Sequence, residues 1–324
     1  MNSNSGRQLR LAVIGAGIAG LACAREVQQA GGSVVVFEKS RGSGGRLATR
    51  YRGDLRFDHG AQYVTARSPG FREVIETAQA AQAAAVWQPR GIELTETWYV
   101  GRPGMTDLVT PLAEGVSLHL ESQVQSIRTR DGLWCLQDTE NRELGRFHQV
   151  VAAMPARQAR ELLLPHSRLF DAAADCTLAP CMTAMVAFDQ AILPGQDLLR
   201  EREAPVSWAA RNSSKPDRPE APDSWVLQAH PQWSAGFLEA SPEARGEALL
   251  TEWQNQLGRS SLPRPCHLES HSWLYARVDT PLAAPFLLDA DKGLAACGDW
   301  CLGARVEAAW DSGRQLGHML AAFA

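Results

Sequence analysis

The chain has 324 residues, 45% of them hydrophobic and 21% charged, with a formal net charge of −4. That length exceeds what one core usually holds, so two domains are expected, and mild acidity without a dense basic run excludes strong attraction to nucleic acid or an anionic membrane. Its seven cysteines are scattered, and the nearest pair, Cys297 and Cys301, lacks both C-x-x-C spacing and a second ligand pair, so reduced buried thiols are expected and no metal site.

The first ten residues, MNSNSGRQLR, have no apolar signal region. No stretch reaches the roughly 18 uninterrupted apolar residues of a membrane span, so a cytoplasmic protein without a membrane partner is expected. Leu11, Val13 and Ile14 then form a short apolar run, as a buried parallel strand does. Gly15, Gly17 and Gly20 follow in G-x-G-x-x-G spacing: the first for a tight turn, the second for close approach of a pyrophosphate, the third for packing of helix on strand. Phosphates placed here sit on a helix N-terminus, where unpaired N–H groups and the helix dipole face the anion.

Leu21, Ala22, Ala24 and Val27 give that helix its apolar face, Gly31-Gly32 ends it, and Val34 to Phe37 reads as a second buried strand. Glu38 closes that strand about 20 residues beyond the glycines, where an acid hydrogen-bonds an adenosine ribose. Its charge repels a 2′-phosphate, which disfavours an NADP-type ligand at this place. Strand, glycines, helix, strand and acid in register predict an ADP-containing cofactor.

Farther along, Phe71 to Ala85 is alanine-rich with a helical pattern, and Trp87 to Val100 has the β-branched and aromatic content of strands. Gly101-Arg102-Pro103-Gly104-Met105 reads as a turn into a helix, with Met105 in the core. Ser117 to Leu120, Val124 to Ile127 and, after a turn at Asp131-Gly132, Leu133 to Leu136 read as strands, as does Val150 to Met154. Pro205 to Pro216 reads as a strand running into a Pro-rich turn, answered by a strand from Ser224 to His230.

A strand over His271 to Arg277 puts His271, Trp273, Tyr275 and Arg277 on one face and Ser272, Leu274 and Ala276 on the other. The small and aliphatic face is expected to pack inward. The aromatic and basic face is then either a solvated surface or the wall of a pocket for a flat, polar ligand. Leu294 to Cys297 reads as an apolar strand ending in Gly298-Asp299, and a helix follows from Val306 to Ala322 with Glu307 favourably placed in its first turn.

Together these segments resemble the FAD-binding oxidases of the amine-oxidase and renalase superfamily. The resemblance implies that Gly15, Gly17, Ile18, Ala19, Gly20, Glu38, Lys39, Arg41, Gly45 and Arg46 run beside the adenosine, diphosphate and ribityl parts of noncovalent FAD. Asp58-His59-Gly60-Ala61-Gln62-Tyr63 resembles the family segment D-x-G-A-Q-Y/F, which implies that the backbone at Gly60 and Ala61 approaches the isoalloxazine ring. Gln62 then serves either the ring's polar edge or a local turn. The backbone of Val124 is implied to hold the adenine, and Asp299 to bond the ribityl or diphosphate region. Val306 and Glu307 open a helix aimed at the flavin's pyrimidine edge, where the dipole stabilises the charge of the reduced ring. Ala308 stands where many relatives have glycine.

The implied fold is α/β: a Rossmann-type FAD-binding domain (1–65, 116–156 and 286–324) with a discontinuous mixed α+β substrate domain (66–115 and 157–285), amine-oxidase/p-hydroxybenzoate-hydroxylase-like. Residues 40–46 and 297–302 closely resemble those of bacterial renalase-like proteins, as do the W-x-A-R-N-x-S-K-P and H-x-W-L-Y-A-R elements at 208–216 and 271–277. That likeness implies a flavoenzyme whose partners are small molecules: it takes hydride from isomeric dihydronicotinamides (2- or 6-dihydro-NAD(P)), returns NAD(P)+ and passes the electrons to O2 as hydrogen peroxide. His271, Trp273 and Tyr275 are the expected substrate-positioning residues. Arg211, Asn212 and His230 are further candidates for polar contacts, with structural roles equally open to them. Two other readings share the FAD residues: a flavin amine oxidase acting on a small amine, and a flavin-binding protein without turnover. Relatives that act on amines often place a lysine by the flavin, and Lys39, Lys215 and Lys292 show no evident match to it.

Overall fold

The computed structural model describes residues 9–322; residues 1–8, most of the N-terminal segment read above, and residues 323–324 lie outside the described residues. The chain separates into two compact units, one of Met1–Gly45, Val109–Thr177 and Val278–Ala324, the other of Arg46–Leu108 and Leu178–Arg277. Among the described residues no helix is long and apolar enough to cross a membrane.

In the first unit the apolar runs form a six-stranded sheet. Arg10–Ile14 is central, with Ser33–Phe37 and then Ser117–His119 on one side, and Gln149–Ala152, Leu294–Ala296 and the antiparallel edge strand Leu287–Asp289 on the other. The other neighbours pair in parallel, so Ile14 lies level with Phe37 and Ala152, and Ala152 with Ala296. Four strands therefore end together, and the strand order changes direction at Arg10–Ile14. In open α/β sheets this is where ligands bind. A three-stranded meander, Val124–Arg130, Leu133–Asp138 and Glu143–Phe147, completes the unit's sheets.

The helix Ile18–Gln29 ends because Gly31 takes φ of +92°. Gly31 N then donates to Gln28 O at 2.9 Å and Gly32 N to Val27 O at 3.0 Å, the paired bonds of a Schellman cap. The last helix, Val306–Ala321, lies directly on it: a Cβ on Gly313 would stand 1.9 Å from Ala19 O. Glycine at that position lets the two backbones touch.

The second unit is built on a five-stranded sheet in the order Leu198–Arg200, Val206–Arg211, Asp223–Ala229, Thr177–Phe188, His267–Thr280. Period-two alternation divides its core. Met182, Ala184, Val186 and Phe188 pack with Leu249 and Trp253 of the helix Pro242–Gln256. Met185 and Ala187 face the other way, against Phe57 of the hairpin Thr49–Arg52/Leu55–Asp58.

That hairpin explains where the units divide. Residues 46–65, placed by sequence with the dinucleotide domain, belong to the second unit because Phe57 is fully buried there and stacks on His267 with ring centroids 5.2 Å apart. Residues 157–177 belong to the first: Ser167 Oγ donates to Asp289 Oδ2 at 2.5 Å and Lys292 Nζ to His166 O at 2.5 Å. Residues 109–115 and 278–285 likewise cluster with the first unit.

Three local expectations are corrected. The helix read over Phe71 to Ala85 spans Pro69–Ala80, started by the Ser68 side chain accepting from Phe71 N, and Ala84–Val86 is already a strand. Trp87 to Trp98 forms no strand; its tryptophans are pulled into the core, Trp87 1% and Trp98 5% exposed, and only Tyr99–Gly101 pairs. The strand His267–Thr280 departs from expectation at Leu274, on the face expected to pack inward. Its aromatic face packs on the hairpin and the turn that follows it, while Leu274 is 53% exposed.

Candidate functional site

At the level ends of the parallel strands, the first unit presents a cradle for a dinucleotide. A Cβ on Gly15 or Gly20 would run into Ala153 O or Gly15 O, whereas one on Gly17 would meet nothing within 4 Å. The middle glycine thus faces open space at a helix start that no side chain caps. A pyrophosphate fits there, with Ile18 and Ala19 supplying the first turn. Glu38, 8% exposed, accepts from Ala16 N on Oε2 at 2.9 Å and from Ser40 N on Oε1 at 2.8 Å. Two backbone donors lock the carboxylate beside the glycine turn, and each oxygen keeps a lone pair for a ribose hydroxyl.

Lys39, Arg41 and Gly45 are exposed along the next loop, and Gly44 N bonds Ala16 O at 2.8 Å, which holds that loop to the glycine turn. Val124 starts the meander opposite Asp138. Asp299 is 6% exposed at the start of the short helix Asp299–Leu302. In the last helix Val306 is half-buried and Glu307 is 6% exposed, with Arg305 Nη2 donating to its Oε2 at 2.5 Å.

In the second unit the segments singled out in the sequence converge on one turn, Asp58 to Gln62. The Asp58 side chain is fully buried: Oδ1 accepts from Thr49 Oγ1 at 2.7 Å and Met105 N at 3.0 Å, Oδ2 from Lys215 Nζ at 3.0 Å and Arg218 Nη2 at 2.6 Å. Its backbone N donates to Asn212 Oδ1 at 3.2 Å. Three successive carbonyls of the turn are also taken: Asp58 O by Gln62 Nε2, His59 O by Trp273 Nε1 at 2.9 Å, and Gly60 O by Gln228 Nε2 at 2.6 Å and Gln62 Nε2 at 3.1 Å. Ala61 N donates to Arg46 O at 2.8 Å. A turn held at three successive carbonyls presents one fixed backbone surface.

Two sequence assignments change meaning here. Gly60 is required by protein, since a Cβ on it would lie 2.0 Å from Arg46 O. The Gln62 amide is committed to the turn, its Nε2 on Asp58 O and Gly60 O and its Oε1 accepting from Lys215 Nζ at 3.2 Å. Of the two roles open to it, the local one is what its side chain performs.

Burial brings the His59 imidazole down to about 3, with the charges of His271 and Arg50 acting in the same direction. Burial also lowers His271 to about 4, aided by Arg50 and Arg245. The rings meet edge to face, centroids 4.9 Å apart, and Trp273 lies 4.4 Å from His271 and 5.1 Å from His59. Both imidazoles are neutral at physiological pH. His59 Nδ1 is buried without a hydrogen-bond partner.

Tyr275 is half-buried on the same strand, and its carbonyl and that of Ala276 accept from Arg46 Nη1 at 3.3 and 3.1 Å. Arg211, Asn212 and His230 do structural work. Arg211 Nε pairs with Asp223 Oδ1 at 2.5 Å, Asn212 bonds the backbone at Asp58 and at Arg56, and His230 Nδ1 caps the helix Pro231–Ala235. Sequence reasoning missed His59, Arg218 and Gln228 and set Lys215 aside. The usable signal was Asp58 itself, because a carboxylate in an apolar strand end requires buried donors. Among the described residues no group of three or more His, Cys, Asp or Glu side chains is arranged to hold a metal ion.

Solved structures share this architecture from end to end. A protein from Exiguobacterium sp. 255-15 assigned as a protoporphyrinogen oxidase is 14% identical with a TM-score of 0.75, over 99% of both chains. Cyclohexylamine oxidase from Brevibacterium oxydans IH-35A is 13% identical with a TM-score of 0.74, over 97% of this chain and 99% of that one. A redesigned putrescine oxidase is 12% identical with a TM-score of 0.70, over 97% and 98%. At these identities the likeness carries the fold alone. Residues 13–78 match an NAD(P)-binding Rossmann-like domain, the segment that holds the open glycine and the locked Glu38. With residues 81–316 matching the model of flavin-containing amine oxidoreductases, the chain belongs to that family and is an FAD-dependent oxidoreductase.

Proposed function

We propose that the chain is a renalase-like oxidase: it takes hydride from 2- or 6-dihydro-NAD(P), yields NAD(P)+ and reduces O2 to hydrogen peroxide. One observation carries the reading. The two segments with the renalase-like pattern, 208–216 and 271–277, meet at the Asp58 to Gln62 turn, through Asn212 and Lys215 from one and Trp273 from the other. The overall reaction balances as dihydronicotinamide, O2 and one proton giving nicotinamide cation and H2O2. Bound FAD supplies the two-electron chemistry.

The chain's own residues bind and orient. Gly17 and Glu38 hold the ADP half, and the clamped turn offers Gly60 and Ala61 to the ring. His271, Trp273 and Tyr275 position the nicotinamide. A hydride leaves carbon with both bonding electrons, so no base is needed at that carbon, and the neutral His59 and His271 suit such a step.

Anaerobic mixing with 2-dihydro-NAD, 6-dihydro-NAD and a panel of amines tests the proposal. Rapid loss of the flavin's visible absorption is expected with at least one nicotinamide isomer. Loss with an amine and with neither isomer would overturn it in favour of an amine oxidase.

A further inference from the structure

We propose that Lys215 tunes the FAD of this chain: seated on Asp58 and Gln62 of the turn assigned above to the flavin ring, its ammonium favours the reduced ring, and its proton is held more tightly once the ring is reduced. This rests on the turn's assignment to the ring. It does not depend on which substrate supplies the hydride.

Lys215 has no exposed side-chain surface, and neither has Asp58. Its three N–H bonds face Asp58 Oδ2 at 3.0 Å, Gln62 Oε1 at 3.2 Å and the ring of Trp87, whose centroid is 5.2 Å from Nζ. From Nζ a continuous chain leads to the turn: Lys215 donates to Gln62 Oε1, and Gln62 Nε2 donates to Gly60 O at 3.1 Å. A charge at one end polarises the amide and peptide beyond it. Buried charges are also shielded little by salt, so the effect persists in physiological buffer.

The surrounding groups leave Lys215 free to respond. Arg218, likewise without exposed side-chain surface, takes the same Asp58 oxygen at 2.6 Å and bonds the carbonyls of Gly101 and Pro216. Asp107, its carboxyl raised by burial, is the next acid facing Arg218 and Asp58, and Tyr51 and Arg56 stand on the hairpin beside them. His59, next in the chain, is neutral. Burial lowers the Lys215 ammonium to about 8, against the pull of Asp58 and with the push of Arg218. Its proton is therefore labile in an accessible range. Linkage makes the coupling reciprocal: if a protonated Lys215 favours the reduced ring, reduction must favour the protonated Lys215.

The test is the reduction potential of the purified holoprotein, titrated against reference dyes from about pH 6.5 to pH 10, with FAD content measured in parallel. In the wild-type chain, potential against pH should bend as Lys215 titrates. Lys215→Met should lower the potential at pH 7 by at least a tenfold change in the two-electron equilibrium, about 30 mV, and remove the bend. Lys215→Arg should keep the higher potential while also losing the bend. Thr49→Val loosens Asp58 without changing charge and should leave the bend in place. A wild-type curve without a bend would overturn the proposal even if Lys215→Met does not fold, and so would an unchanged curve in a folded Lys215→Met holoprotein. Dyes replace the substrate throughout, so failure of the dihydronicotinamide reading leaves this result intact.

Discussion

Trp273 donates its indole N–H to the carbonyl of His59 across 214 residues of sequence, at 2.9 Å. That bond ties the strand His267–Thr280 to the turn that follows the hairpin, and it fixes the indole within 4.4 Å of the His271 ring. Trp273→Phe keeps an aromatic ring but leaves the carbonyl without this donor. An unsatisfied buried acceptor costs about 1–3 kcal/mol, to be read from urea midpoints. A larger loss in the rate of flavin reduction than in stability is expected, and equal losses would reduce Trp273 to scaffold.

His271 is the residue assigned to orient the substrate ring. His271→Ala should slow flavin reduction by the dihydronicotinamide while leaving reoxidation by O2 near the wild-type rate. Stopped-flow measurement of the two half-reactions separates them, and an unchanged reduction rate would return His271 to a packing role against His59 and Trp273.

The two lowered imidazoles predict an acid-sensitive fold. The unfolded chain takes up these protons near pH 6.5, the folded one near 4 at His271 and near 3 at His59. Between those values the unfolded state binds more protons, so stability falls as pH drops from about 6.5 to 4. Asp58 acts lower down: its folded carboxyl is held below 3.8, so its contribution is lost only as pH falls beneath that value. Melting temperature should therefore decline in two stages, and His271→Gln should flatten the upper one.

The dinucleotide half was legible in the sequence because each of its requirements is local. A strand, three glycines, a helix and an acid lie within residues 11 to 38, and short-range geometry fixes their relation. The second unit was not legible in this way. Asp58 is completed by Lys215 and Arg218, and His59 by Trp273, across separations that no periodicity encodes. The orientation of the strand 267–280 shows the same limit. Alternation gave two faces, but the choice between them was made by residues on other segments: Phe57 and His59, and Arg50 and Arg52, which pair with the strand's Glu269 at 2.8 and 2.7 Å. Polarity left the aromatic face open between a solvated surface and a pocket wall and placed Leu274 inward, where tertiary packing leaves it exposed.

The contact of the last helix with the first makes a prediction about both stability and cofactor. Gly313→Ala would set a methyl 1.9 Å from Ala19 O, so the helices must separate. Such overpacking costs about 1–3 kcal/mol. Ala19 lies in the first turn of the helix that opens at Gly17, so FAD affinity should fall together with the melting temperature. Met319→Ala, on the same helix at a side chain 46% exposed, should change neither.

Glu38 offers the sharpest test of the cofactor cradle because its two oxygens have separate duties. Oε2 holds Ala16 N and Oε1 holds Ser40 N, and both are assigned to the ribose hydroxyls as well. Glu38→Gln keeps the size but turns one acceptor into a donor, so one of the two backbone N–H groups loses its partner. Hydrogen bonds to a charged group contribute about 1.5–3 kcal/mol, so FAD affinity should fall by roughly ten- to a hundredfold. Glu38→Ala removes both acceptors and should yield protein depleted in FAD, with faster amide exchange at Ala16 and Ser40. The charge makes a second, independent statement: FAD-free wild-type protein should bind ADP more tightly than 2′-phospho-ADP, and Glu38→Ala should narrow that difference by weakening ADP and relieving repulsion of the phosphate. Full FAD occupancy with unchanged affinity in Glu38→Ala would detach this residue from the ribose and leave it as a brace for the glycine turn.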